Sequence, residues 1–211
     1  MISIVIPTYE MHGRGVEFLN ELWVSICSQT YEDYEVIVSD DSVDNQVRDY
    51  CVEHGIDYYR HTTGHGAAMN LNNAISHASG TIIKPMFQDD RFLDTDCLTK
   101  VAAMTGKWCV LTSAHLGSDR GDHVPYPAPP PAELATGVNT FGSPSAVAWK
   151  RNNMAMDTNL QWLFDCDFYA RMLIQNGQPE FIPAKVLIRE WDGMATRTNA
   201  AGQVRVMELE Y

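Results

Sequence analysis

Two short apolar runs in this chain each end in a pair of aspartates. The pairs are Asp40-Asp41, after residues 35–39, and Asp89-Asp90, after residues 81–88. Each run has the length and composition of a buried strand, so each pair falls at the carboxyl end of a strand. Ligands of open α/β sheets bind at that edge. Two carboxylate pairs there predict a divalent cation together with a polar, phosphorylated ligand.

Apolar strands and amphipathic helices alternate from the N-terminus to residue 113. The expected strands are 2–7, 34–39, 56–60, 81–85 and 107–113, and the expected helices are 15–29, about 47–51, 67–78 and 96–105. Gly55 and Gly80 follow two of these helices, where glycine commonly forms the C-terminal cap. This alternation predicts an α/β fold with right-handed crossovers and a mostly parallel central sheet that has helices on both faces.

The alternation breaks after residue 113. Residues 125–131 read Pro-Tyr-Pro-Ala-Pro-Pro-Pro, and proline removes backbone donors and blocks helix. A long loop inside a compact domain is usually functional, and a passive insertion is the alternative. Beyond the loop we expect strands at 145–149, 180–182 and 186–189 and a helix at 165–175. A length of 211 residues fits a single domain over residues 1–211.

The composition limits which binding partners and which cellular compartment we expect. The net charge of −12 disfavours nucleic acids and anionic membranes, and the sequence has no basic cluster that would offset it. Five cysteines without a CxxC pair predict free thiols in a reducing compartment. No apolar run approaches the roughly 20 residues of a membrane span. We therefore expect a soluble, cytoplasmic protein without a transmembrane segment.

Several common nucleotide and hydrolase motifs are missing from the sequence. It contains no GxGxxG after the first strand, no GxxxxGK[ST] and no GxSxG. These absences disfavour a dinucleotide-binding Rossmann site, a phosphate-loop ATPase and an α/β-hydrolase.

Each acidic cluster also has a purely structural interpretation. Asp40-Asp41 could be turn residues at the end of a strand. Asp89-Asp90, flanked by aromatic residues, is costly without a neutralising cation, which favours a metal site. Asp165 opens a helix, where an acid compensates the helix dipole. Taken with the two other acidic pairs, Asp165 is better interpreted as a general base.

Segments distributed in order over about residues 2–175 resemble family-2 glycosyltransferases of the GT-A fold. The segments are residues 3–9, 25–31, 35–42, 64–80 and 88–90, and Phe164-Asp165 with Arg171. The resemblance implies a Rossmann-like sheet, with residues 1–113 as the half that binds the nucleotide sugar. Residues 114–211, including the proline-rich loop 125–131, would bind the acceptor.

The resemblance also implies roles for individual residues. The residues implied to contact the nucleotide-sugar donor are Pro7, Thr8, Tyr9, Asp41, Asn70 and Asp89. Asp41 would bond to the nucleotide base, and Asp89 would contact the sugar or ribose. Asp90 would bind Mn²⁺ or Mg²⁺ that bridges the diphosphate. Asp165 would accept the proton of a saccharide or other hydroxyl acceptor, and direct displacement would invert the anomeric centre.

Three positions depart from the family pattern. Gln88 stands where a first metal-binding aspartate is common, Phe164 replaces a glutamate, and Trp191 stands near the place of a metal-binding histidine. Asp192 could substitute as the metal ligand. The Gln-x-x-Arg-Trp motif of processive synthases is missing too, which predicts transfer of a single sugar per encounter.

We therefore expect a metal-dependent, inverting, hexosyltransferase-type enzyme that uses a nucleotide diphosphate sugar, with a UDP-sugar as the favoured donor. Two alternatives remain open on the sequence. One is a nucleotide-sugar-binding protein that has lost catalysis. The other is a nucleotidyltransferase, for which residues 10–15 are a faint match to the expected glycine- and basic-rich loop.

Overall fold

A computed structural model describes residues 1–62, 64–117, 122 and 131–190. The elements in chain order are β1 (Ile2–Thr8), α1 (Gly15–Cys27), β2 (Tyr34–Asp40), α2 (Gln46–His54), β3 (Asp57–Arg60), α3 (Ala67–His77), β4 (Ile82–Pro85), β5 (Arg91–Phe92), α4 (Cys97–Ala102), β6 (Trp108–Leu116), α5 (Pro131–Ala135), β7 (Val147–Lys150), α6 (Phe164–Asn176) and β8 (Glu180–Arg189). Short 3-10 turns lie at Met11–Gly13 and Pro144–Ala146.

All the described strands form one sheet in the order β3-β2-β1-β4-β7-β6-β8-β5. Parallel pairs join β1 to β2 and β4, β2 to β3, and β6 to β8. Strand β7 is antiparallel to β4 and β6, and β5 is antiparallel to β8. The predicted mostly parallel α/β sheet is therefore confirmed.

The sheet is buried on both faces. Ile4 and Val5 are adjacent on β1 and fully buried, yet they belong to different hydrophobic clusters. Leu22 of α1 packs in the cluster of Ile4, whereas Leu71 of α3 and Phe168 of α6 pack in the cluster of Val5. Helices on both faces explain why β1 is a continuous apolar run rather than an alternating one.

Strand β8 corrects one boundary expected from the sequence. The separate strands expected at 180–182 and 186–189 are a single strand with a bulge. Leu111 pairs with Ile182, but the next residue, Thr112, pairs with Lys185. The two residues between are Pro183 and Ala184, and proline cannot donate to a ladder, so it interrupts the strand pattern without ending the strand.

The two glycines expected to end helices differ in role. Gly55 caps α2 in the left-handed conformation, with φ 67°, as predicted. Helix α3 instead ends at His77, and Ala78 is already extended, so the prediction that Gly80 caps it is wrong. A Cβ on Gly80 would lie 2.6 Å from Ser3 Oγ, so Gly80 allows the chain to pass close to β1.

The topology places the carboxyl ends of β1, β2 and β4 at one edge of the sheet, because these neighbouring strands are parallel. Within the described residues, no helix has the length and apolar character needed to cross a membrane. Residues 125–130 of the proline-rich segment lie outside the described residues, and Pro131 begins α5.

Candidate active site

The carboxylate of Asp40, the last residue of β2, is bonded to other side chains of the protein. Its side chain is fully buried and accepts bonds from Thr8 Oγ1 at 3.1 Å, Ser42 Oγ at 2.6 Å and Tyr58 OH at 2.8 Å. The guanidinium of Arg60 lies 3.4 Å away. A buried carboxylate needs such partners. Asp40 therefore closes the turn after β2 and has no oxygen directed to a ligand.

Asp41 lies at the surface of the same turn. Its backbone N–H donates to Thr8 O at 2.9 Å, which fixes it beside the end of β1. Its carboxylate accepts the Gly66 N–H at 3.0 Å and lies 2.6 Å from Nδ1 of His65. The Asp41 side chain is 13% exposed and that of His65 is 79% exposed. A ligand that approaches Asp41 from solvent therefore meets His65 first.

The end of β1 supplies Pro7, Thr8 and Tyr9 to this edge. Thr8 is fully buried, and its carbonyl accepts the Asn70 side-chain amide at 2.9 Å. Asn70 also accepts the Ser39 hydroxyl at 2.5 Å, so it ties the ends of β1 and β2 together.

Tyr9 is 41% exposed. Burial and then the negative charge of Asp89 raise the pKa of the Tyr9 phenol, which places Tyr9 near the second acidic pair.

Gln88 has a structural role. Its amide oxygen accepts the Tyr9 N–H at 3.0 Å, and its Nε2 donates to Gly15 O at 2.6 Å. The side chain is 2% exposed. Gln88 therefore joins the end of β1 to the start of α1 and is engaged at both ends. A carboxylate here could not donate to Gly15 O, which accounts for glutamine at this position.

Asp90 is buried at the end of the β4 segment. It is 3% exposed, and it accepts the Arg189 N–H at 3.0 Å and the Ser143 hydroxyl at 3.4 Å. Burial, with the nearby charge of Asp89, raises the Asp90 pKa to about 8. Arg189 also donates from Nε to Asp89 O at 3.3 Å and forms an ion pair with Glu21. Arg189 of β8 thus fixes the position of the turn that contains Asp89 and Asp90, here called the acidic turn.

These two aspartates fit a divalent cation by their chemistry. Carboxylate oxygens are the hard ligands that Mg²⁺ prefers, and a cation would compensate the cost of charging buried Asp90. In the described part of the chain, no group of three or more His, Cys, Asp or Glu side chains forms a metal site. Asp192 lies outside the described residues. A cation bound by Asp90 would take further oxygen ligands from water or from a bound ligand.

Asp165 lies in the first turn of α6 and is held at both oxygens. Oδ1 accepts the Cys166 N–H at 2.7 Å, and Oδ2 accepts Nδ2 of Asn139 at 2.9 Å. Burial raises the Asp165 pKa to about 6. The two hydrogen bonds stabilise the charged carboxylate and so offset part of that rise. A carboxyl with a pKa near the working pH is suited to general base catalysis. Asp167 lies two residues further along the helix. Its Oδ2 instead pairs with Nη2 of Arg171 at 2.6 Å.

Asn139 is a candidate site residue that the sequence did not indicate. Its Oδ1 accepts the N–H groups of Phe141 and Gly142, both at 3.0 Å, which is a turn closed by an asparagine side chain. The short sequence Asn139-Thr140-Phe141-Gly142 could have indicated the turn. It could not have indicated the partner, because Asp165 lies 26 residues further along the chain.

The fold resembles solved glycosyltransferase structures. S. aureus TarS (residues 1–349) superposes with a TM-score of 0.68 at 14% identity, covering 99% of this chain and 64% of that TarS fragment. The mannosyltransferase PcManGT from Pyrobaculum calidifontis, in complex with GDP-Man and Mn²⁺, gives 0.63 at 18% identity, covering 89% and 56%. This chain thus spans less than two thirds of those two chains. No curated protein matches it.

The similarity in sequence covers most of the chain. The profile of Glycosyl transferase family 2 matches residues 3–171, from the start of β1 into α6. That span includes both acidic strand ends and Asp165, the residues on which the resemblance was based. With the GT-A-type sheet described above, this match shows that the chain belongs to glycosyl transferase family 2.

Proposed function

We propose that this protein transfers a single sugar from a nucleotide diphosphate sugar to an acceptor hydroxyl, with inversion and with Asp165 as the general base. Asp165 carries the proposal: it is a partly buried carboxyl with a pKa raised to about 6, and Asn139 holds it in one orientation. Membership of glycosyl transferase family 2 supports the reaction class.

The donor side would be the edge formed by β1, β2 and β4. Asp41 would bond to the nucleotide base, beside Pro7 and Thr8, and His65 would have to move from its place over Asp41. Tyr9 and Asp89 would face the ribose or sugar, while Asn70 supports the floor of the site through its bond to Thr8 O.

The choice of nucleotide rests on analogy. TarS has been crystallised with UDP and with UDP-GlcNAc, and PcManGT with GDP-Man. A UDP-sugar is the donor that we propose, and a GDP-sugar is its direct competitor in the experiment below.

The proposed reaction is a single displacement. The acceptor oxygen attacks the anomeric carbon, its proton passes to Asp165, and the bond to the diphosphate oxygen breaks with its electron pair leaving on the nucleoside diphosphate. Mn²⁺ or Mg²⁺ bound by Asp90 would neutralise charge on the leaving diphosphate. The acceptor would bind over residues 114–211, on the side of the sheet edge that carries α6.

Calorimetric titration of UDP, and then of GDP, with and without Mn²⁺, tests the donor site. We expect UDP to bind and Mn²⁺ to tighten it. Preference for GDP would replace the proposed donor. Binding of neither nucleotide to the folded protein would contradict the donor site around Asp41 and Asp90.

Asp165→Asn tests the base. We expect turnover to fall by about 10²- to 10⁴-fold, the usual contribution of a general base, while nucleotide binding is retained. Asp167→Asn is the matched control, because Asp167 lies in the same helical turn but pairs with Arg171. Full activity of Asp165→Asn would overturn the assignment of Asp165.

A protein that binds a nucleotide sugar without transferring it is the second candidate. The observation that favours it is Gln88, whose amide is committed to Tyr9 and Gly15 and supplies no carboxylate. Metal-dependent transfer or hydrolysis of the bound donor by the wild-type protein would exclude this candidate.

A further inference from the structure

We propose that Lys84 is a positioning residue: its ammonium group anchors the segment 139–146, and this segment fixes the Asp90 carboxylate relative to the Asp165 carboxylate. The significance for catalysis rests on the function proposed above, whereas the mechanical link does not.

Lys84 is an unusual residue for the middle of a sheet. It lies on β4 beside Ile4 of β1 and is fully buried. Burial lowers the pKa of its ammonium to about 8. Among the described residues, no carboxylate lies within ion-pair distance of its Nζ, and Asp90 acts on it only as a more distant charge. Burying a lysine is costly, and an apolar side chain would fill the same volume without that cost. A lysine at this position therefore calls for a role.

The partners of Lys84 indicate that role. Nζ donates to Pro85 O at 2.9 Å on its own strand and to Ser145 O at 2.5 Å. It also lies 3.2 Å from Met86 Sδ and 5.5 Å from the centre of the Phe92 ring. Ser145 lies in the 3-10 turn Pro144–Ala146 before β7. The lysine thus reaches out of the strand to hold a backbone carbonyl of that turn.

From Ser145 the contacts lead to Asp90. The Ser145 hydroxyl accepts the Phe87 N–H at 2.8 Å, so the turn is attached to the segment that carries Asp90. The Ser145 N–H donates to Ser143 Oγ at 3.3 Å, and that hydroxyl donates to Asp90 Oδ2 at 3.4 Å. A shift of the turn would therefore move a donor to Asp90.

The same segment leads to Asp165 in the other direction. The Asn139 side chain makes two hydrogen bonds to the backbone of Gly142. Its Oδ1 accepts the Gly142 N–H, and its Nδ2 donates to Gly142 O at 3.0 Å. That Nδ2 also donates to Asp165 Oδ2 at 2.9 Å. Tyr169 of α6 donates to Gly142 O at 3.4 Å. One short, internally bonded segment thus contacts both acids, and Lys84 holds its far end.

Hydrogen–deuterium exchange on the full chain tests the link without requiring activity. Lys84→Met shortens the side chain by one atom and removes its donors. We expect about tenfold or faster exchange in peptides covering 139–146, because their openings cease to be restrained, with unchanged exchange in β1 and β2. Lys150→Met is the control, since Lys150 lies on the neighbouring β7 and donates to Thr105 O at the surface. Unchanged exchange over 139–146 in Lys84→Met would overturn the proposal. If that variant does not unfold cooperatively, Lys84→Leu, which also lacks donors, replaces it with the same expectation.

A double-mutant cycle then tests the catalytic consequence. Lys84→Met and Asn139→Leu should each lower kcat by about 10- to 100-fold, the effect of a misplacement on the order of 1 Å. If both act through one segment, the double variant should be about as slow as the slower single variant. Losses that multiply would overturn the coupling. Absence of transfer by the wild-type protein would contradict the proposed function, while the exchange experiment would still decide the link.

Discussion

At the scale of single residues, neighbours in the sequence have different roles because their partners differ. Asp40 accepts bonds from Thr8, Ser42 and Tyr58, whereas Asp41 faces His65 at the surface. A fully buried carboxylate with several side-chain partners has little to offer a ligand, whereas the partner of Asp41 Oδ1 is the exposed side chain of His65, which a ligand can replace. Of the two adjacent aspartates at the end of β2, Asp40 therefore maintains the turn and Asp41 is available for a ligand.

The pKa of Asp165 gives a pH prediction at this scale. The proposed base must be deprotonated to accept a proton, and burial raises its pKa to about 6. Activity should therefore fall as the pH drops through about 6. The bond from Asn139 stabilises the charged carboxylate, so Asn139→Leu should raise the pKa and move this acid limb to higher pH. The profile of kcat/KM against pH measures both effects.

Asn159→Leu is the control for that experiment. Asn159 donates to Asp157 at 2.9 Å, the same kind of bond to a carboxylate, at an exposed turn outside the proposed site. Its profile should match the wild type. An acid limb that stays in place in Asn139→Leu would show that Asp165 does not set it.

At the scale of elements, the start of α1 has no room for a side chain at Gly15. A Cβ on Gly15 would lie 2.6 Å from Tyr9 O and 3.0 Å from Gln88 Nε2. Gln88 donates to Gly15 O, so β1, α1 and the acidic turn after β4 meet at this point. The helix can approach the site edge this closely only because residue 15 is glycine.

Gly15→Ala tests this packing. Alanine normally stabilises a helix relative to glycine by about 0.5–1 kcal/mol, but here the contact with a backbone carbonyl should reverse the sign. We expect a loss of about 1–3 kcal/mol in the free energy of unfolding, the usual cost of overpacking, together with weaker nucleotide binding. Urea denaturation and calorimetry measure the two effects.

Gly106→Ala is the matched control, because the nearest atom to its Cβ, Trp108 O, lies at 3.4 Å, an ordinary contact. It should change stability and nucleotide binding little. A Gly15→Ala variant as stable as this control would contradict the role of the close approach.

At the scale of the whole molecule, one sheet joins the two halves of the chain. Strand β7 lies between β4 and β6, and β8 pairs with β6. Strand β8 brings Arg189 to Asp90, and the segment before β7 brings Ser143 to it. A ligand on Asp90 would therefore stabilise contacts from both halves at once.

Thermal unfolding tests that consequence. A nucleotide present at 100 times its Kd should stabilise the fold by about 2.7 kcal/mol, which is roughly 5–10 °C for a chain of this size. We expect UDP with Mn²⁺ to raise Tm more than UDP alone. Asp90→Asn should remove the Mn²⁺-dependent part, and Asp57→Asn, at an exposed acid on β3, should retain it. An Asp90→Asn protein with the full shift would place the cation elsewhere.

Much of the fold could be predicted because its signals are local. Apolar runs and helical spacing lie within a few residues of each other, so strands β1 to β4 and helices α1 and α3 were recognised close to their observed bounds. Strand β5, with two residues, is too short to leave a pattern. Strand β8 was divided in two because Pro183 marks a break that the partner strand accommodates with a bulge.

The sequence by itself determined the class of fold and the placement of aspartates at the ends of parallel strands, since both follow from short-range periodicity. Only the tertiary structure decided that Asp40 and Gln88 are internally bonded, that Asn139 holds Asp165, and that Lys84 holds Ser145. The partners of these contacts lie far apart in the chain: Lys84 and Ser145 are 61 residues apart, and Asp90 and Arg189 are 99 apart. Such pairs form only when the sheet order brings their strands together, and no local pattern encodes them.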